Sequence, residues 1–154
     1  MNESAVPKRP LQSGWMRGGL ALLSIGELYV GVWALFVPMS FYEAFPLPGR
    51  GWVSALGPYN EHLVRDVGAL NLALGVLLAL AAVLSEHRLV QVSIAAYLVY
   101  TVPHFLFHLT HTRALSAVDN LANLILLGLL VVLPLAILIR SGPRDRIGRS
   151  QGNE

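Results

Sequence analysis

Four apolar runs, each about twenty residues long, constrain this chain more than any other feature of it. They lie at about residues 15–37, 62–84, 89–110 and 118–139. At a rise of about 1.5 Å per residue, each run reaches across a hydrocarbon core of about 30 Å. Lipid offers the backbone no hydrogen-bond partners, so spans of this length must satisfy their own N–H and C=O groups as helices. The expected fold class is therefore all-α: a polytopic membrane protein with four transmembrane helices in an antiparallel bundle. Composition agrees, at 55% hydrophobic and 13% charged residues.

The spans divide the chain into a mobile N-terminal tail at 1–14, a four-helix transmembrane domain at 15–140 and a mobile C-terminal tail at 141–154. The first run has a basic flank like that of a signal peptide, but it is too long and no small-residue cleavage site follows, so a retained anchor is expected. The longest connection, 38–61, holds Phe41, Tyr42, Phe45, Trp52 and prolines 38, 46, 48 and 58, which suits an irregular cap with aromatic anchors and makes it a candidate lid. The turn at Ser85–Arg88 is short, which makes the second and third spans antiparallel neighbours.

Orientation follows from the basic residues. With both termini and the Glu86 turn inside, that side holds Lys8, Arg9, Arg17, Arg88, Arg140, Arg144, Arg146 and Arg149, against Arg50, Arg65 and Arg113 outside. The asymmetry predicts N-in and C-in termini. The basic residues lie beside apolar runs with no basic and aromatic surface between them, which excludes nucleic acid as a partner. The chain contains no cysteine, so disulfides, thiolate catalysis and cysteine metal ligation are excluded.

This topology gathers polar residues at the outer half of the bundle. His104, His108 and His111 share one face of the third span at i, i+4 and i+7. The second span begins there with Asn60, Glu61, His62, Arg65 and Asp66, and the fourth with Asp119, Asn120 and Asn123. Tyr97 and Tyr100 extend the histidine face inward, and Glu27 lies near the middle of the first span. A lone carboxylate at that depth costs about 2.5 to 3.5 kcal/mol on insertion scales, so Glu27 should face the interior, protonated or paired. The expected site is a polar pocket with Glu27 at its floor.

Three readings fit such a cluster. A divalent metal could take ligands from His104, His108, His111, Glu61, Asp66 and Asp119, although His111 lies about 10 Å along the axis from His104, too far for all three histidines to share one ion. Haem held by two axial histidines is the weaker form of this reading. A small lipophilic ligand could be bound by Arg65, Tyr97, Tyr100, His104, His108 and Asn123, with Glu27, Glu61, His62, Asp66 and His104 as candidates for proton transfer or redox work. The third reading is structural: the same groups fix helix order in an accessory or scaffold subunit of a membrane complex, or in a homo-oligomer. No motif assigns a reaction, and enzymatic activity is left open.

The runs Phe41-Tyr42-Glu43-Ala44-Phe45-Pro46 and Gly57-Pro58-Tyr59-Asn60-Glu61-His62-Leu63-Val64-Arg65-Asp66-Val67-Gly68-Ala69-Leu70, with His104 to His111, resemble a group of uncharacterised actinobacterial four-helix integral membrane proteins, distantly similar to the DoxX-like superfamily. The resemblance covers Trp15 to Arg140 and implies four spans in a bacterial cytoplasmic (inner) membrane. DoxX-like proteins are linked to quinone or thiol redox systems; the absence of cysteine removes the thiol half of that expectation, and the resemblance carries no catalytic residue onto this chain.

Overall fold

The structure, a computed structural model, describes residues 14–141. The two expected tails lie outside the described residues except for their inner ends, where Gly14 opens the first helix and Ser141 is buried against the last. The elements are α1 (Gly14–Phe36), a short α2 (Pro38–Ala44), a 3-10 turn (Ser54–Leu56), α3 (Glu61–Leu84), α4 (His87–Thr110) and α5 (Ala117–Arg140). All but α2 and the turn are long and apolar enough to cross a membrane. They pack as an all-helical bundle.

Local chemistry sets the helix ends. Asn60 caps α3 by accepting from the Leu63 N–H at 3.1 Å, and Ser116 caps α5 by accepting from Asp119 N–H at 3.1 Å. At the far end of α3, Ser85 adopts the left-handed region (φ 52°) and donates its hydroxyl to the Ala82 carbonyl at 3.0 Å, so α4 starts two residues later. The connection after α1 is more regular than its prolines suggest. Pro38, placed at the start of α2, leaves unmade only a hydrogen bond that a first helical turn lacks anyway.

Contacts along the helices show the antiparallel arrangement. On α1 and α3, Arg17 meets Ala82, Ser24 meets Gly75, Gly31 meets Leu72 and Leu35 meets Arg65. On α4 and α5, Gln91 meets Ser141, Phe105 meets Gly128 and His108 meets Asn123. Asn71 joins α3 to α4, and Gly19 sets α1 against Leu133 and Ile137 of α5. Around the bundle the order is thus α1, α3, α4, α5, with α1 and α4 facing each other across the middle. The described chain enters and leaves at one end, the terminal end; the long connection closes the other, the loop end.

The α1–α3 contact is the closest. A Cβ built on Gly68 would lie 2.5 Å from the Leu35 nitrogen, and one on Gly31 would lie 2.6 Å from the Leu72 nitrogen. Only glycine lets backbones approach so closely. The pair is also clasped at both ends: Arg17 Nε donates to the Ala82 carbonyl at 3.2 Å, and Arg65 Nη1 donates to the Leu35 carbonyl at 2.5 Å. Each arginine reaches a carbonyl in the last turn of the opposite helix, where intrahelical donors run out, and the one on Ala82 is shared with the Ser85 hydroxyl.

The apolar core lies in two places. In the terminal half, Leu20, Leu23, Leu78, Val90, Ile94 and Ile137 bury one another. At the loop end, Ala34, Phe41 and Val64 form a smaller core, with Trp33, Phe45 and Tyr59 packed on it. Polar groups lie between the two.

Candidate functional site

Glu27 is buried, at 4% exposure, although it sits mid-span in an apolar helix. Its Oε1 accepts a hydrogen bond from the Tyr97 hydroxyl at 3.0 Å, across the bundle from α4. Its Oε2 has no partner, and among the described residues it is the one fully buried side-chain oxygen or nitrogen in that state. Burying a polar atom without a partner costs about 1 to 3 kcal/mol, so the arrangement meets only half of what a buried carboxyl demands.

From Tyr97 a file of polar side chains climbs α4 toward the loop end at one-turn steps. Asn71 of α3 donates to the Tyr100 hydroxyl at 3.2 Å and to the Val67 carbonyl at 2.7 Å. The Tyr100 ring stacks on His104 with centroids 5.6 Å apart, and His104 lies 4.9 Å from the ring of His108. His108 Nδ1 pairs with Asn123 Nδ2 of α5 at 2.9 Å; because the amide donates, the ring nitrogen facing it accepts. Thr101, on the same α4 face, is buried at 3% exposure and donates to the Tyr97 carbonyl. Of the expected site residues, Glu27, Tyr97, Tyr100, His104, His108 and Asn123 thus lie along one column rather than around a pocket.

The remaining candidates stand apart from it in separate pairs. Arg65 Nε bonds Glu61 at 2.9 Å while its Nη1 clasps Leu35, so the guanidinium is engaged in holding α3 to α1. His62 and Asp66 pair at 3.2 Å on a surface where both side chains are largely exposed. His111 follows the end of α4, where its Nδ1 lies 2.9 Å from the Phe107 carbonyl and its ring stacks on Phe107 at 4.1 Å. It closes a helix end. Asp119 is held by Ser116, Trp52 and Arg50. Among the described residues no group of three or more histidine, aspartate or glutamate side chains is placed to hold one metal ion. Glu61, Asp66 and Asp119 are each drawn to other partners, so the expected mixed ligand set does not assemble.

Outside the spans, the Tyr59 hydroxyl is held above the ordinary tyrosine range, chiefly by desolvation and then by the neighbouring Glu61 carboxylate, with Arg65 opposing. Tyr59 packs against Tyr42, whose hydroxyl donates to the Gly57 carbonyl at 2.7 Å.

The partners of Asp119 are what the sequence did not disclose. Arg50 Nη1 and Trp52 Nε1 both reach its Oδ1, at 3.1 and 3.0 Å, from 69 and 67 residues away. The only signal for them is that the topology brings the 38–61 connection and the start of α5 to the same end. Two surface depressions lie elsewhere: an apolar trough of about 590 Å³ along α1 between Ile25 and Val37, and a smaller one of about 210 Å³ between Tyr42, Val53 and Val64. Comparison with family models, with curated proteins and with solved structures found no match for this chain.

Proposed function

We propose that this chain is a multi-pass protein of a bacterial cytoplasmic membrane, with both termini inside, that binds a small lipophilic molecule beside the Glu27 column and exchanges a hydrogen bond or proton with it. The observation that supports this is the unpartnered Oε2 of Glu27. A carboxyl kept only to tie helices together would have both oxygens bonded, as the satisfied groups around it are. An ionisable group retained at that depth is a functional hypothesis by default. A ligand that offers a donor, or accepts from a protonated acid, completes the site. The likeness of residues 57–75 to DoxX-like sequences belongs to the same proposal.

A second reading, the accessory or scaffold subunit, is favoured at the loop end, where Arg65–Glu61, His62–Asp66 and Arg50–Asp119 are paired among themselves. The two readings separate in native mass spectrometry of protein purified in lipid nanodiscs. The expected result is a small-molecule adduct on wild-type protein that is lost from Glu27→Gln and Glu27→Ala variants of unchanged helix content. A wild-type protein that carries no adduct, or variants that keep it, would overturn the binding reading and leave the scaffold.

A further inference from the structure

We infer that residues 45–57 form a strap that closes the loop end of the polar column, with Asp119 as its latch. The strap is rooted on α1. Phe45 packs against Trp33 and Phe41, and the Tyr29 hydroxyl donates to the Pro46 carbonyl at 3.2 Å. From there it crosses to α5, where Arg50 and Trp52 both end on Asp119 Oδ1. Below the strap, α1 meets α5 directly at the terminal end, where Gly19 lies against Ile137. At the loop end the strap makes the connection instead.

The column reaches this end of the bundle through α5. Asp119 sits one helical turn from Asn123, which holds His108, and both project from the same face of α5. Trp52 is 7% exposed while Arg50 beside it is open to solvent, so the strap presents an apolar plug inward and a charge outward.

The fastening is built to release. The Arg50 side chain is 53% exposed, and ion pairs in that setting are weak and screened by salt. Gly49 (φ 86°) and Gly51 (φ 59°) flank Arg50 in a backbone region that side chains resist, giving the strap two points where direction can change. Asp119 holds the α5 side of the strap through one side chain, whereas the Trp52 N–H is tied back to the Phe45 carbonyl at 2.8 Å, so a single substitution at Asp119 frees the α5 contact and leaves the strap rooted.

The absence of cysteine allows a direct test that is independent of any ligand, so its failure is distinguishable from failure of the Glu27 reading. Thr101→Cys places a thiol in the column, and Ser93→Cys places one on α4 two turns closer to the terminal end, at 0% exposure. Both are reacted with a water-soluble maleimide in nanodiscs, with Asp119 intact and as Asp119→Ala. The expected result is labelling of Thr101→Cys about tenfold faster when the latch is removed, with Ser93→Cys unchanged. Asp119→Asn, which keeps an oxygen for Trp52, should fall between. Equal rates at Thr101→Cys would overturn the latch. Equal acceleration at both thiols would show general loosening and would overturn it as well.

Discussion

Replacing Gly68 by alanine places a methyl group 2.5 Å from the Leu35 nitrogen and 2.9 Å from the Leu35 Cα and the Ala34 carbonyl carbon. All three are backbone atoms, so no side chain can swing away, and α1 and α3 must part by about 1 Å to reach ordinary contact. Overpacking of this kind costs about 1 to 3 kcal/mol, and a rigid neighbour puts it at the upper end. Alanine returns about 1 kcal/mol through helix propensity, leaving a net loss of about 2 kcal/mol. The same separation stretches the bond from Arg65 to the Leu35 carbonyl toward the limit of hydrogen bonding. Gly26 is the matched control, because a Cβ there meets nothing within 4 Å. Gly26→Ala should therefore be neutral or stabilising by up to about 1 kcal/mol. Reversible unfolding in mixed micelles measures both, and the two alanines should differ by about 2 to 3 kcal/mol. Adding Gly31→Ala to Gly68→Ala should cost less than the sum of the single changes, since the first has already moved the helices. A Gly68→Ala protein as stable as Gly26→Ala would refute the backbone contact.

Other outcomes follow from the same structure. Tyr97→Phe strands Glu27 Oε1 in a dry site and should lower stability by about 1 to 3 kcal/mol, whereas Glu27→Gln keeps an acceptor for Tyr97 and should change it by less than about 1 kcal/mol in the same assay. Arg65→Ala removes the donor to the Leu35 carbonyl and should cost about 1 kcal/mol. Asp66→Ala breaks only a surface pair with His62 and should be within about 0.5 kcal/mol of wild type by thermal unfolding. A cysteine at Leu47, which is 62% exposed in the strap, should label from outside intact cells, and labelling only after the inner face is opened would reverse the proposed orientation.

The spans were legible because twenty apolar residues in a row leave lipid-crossing helices as the simplest outcome, and the face shared by Tyr97, Tyr100, His104 and His108 follows from helical spacing alone. The distribution of partners was not legible. Arg65 reads in sequence as a charge beside Glu61 and Asp66, yet its second bond goes to a backbone carbonyl 30 residues earlier. Periodicity carries no information on which helix lies opposite. Asp119 reads as a helix-start carboxylate, which it is, but its binding of Arg50 and Trp52 depends on how an irregular connection folds. The glycines gave a mixed signal: Gly31, Gly68 and Gly75 lie at close contacts, whereas Gly26 faces open space, and composition does not separate them.

The clasp between α1 and α3 bears on the order in which the protein is assembled. Both arginines, both carbonyls they hold and the glycines between them fall within the first 82 residues. Synthesis runs from the N-terminus, and early segments fold as they emerge. The first hairpin can therefore close and lock while α4 and α5 are still in the ribosome. The second hairpin then docks on a finished surface, carrying the histidines to a carboxyl that is already in place.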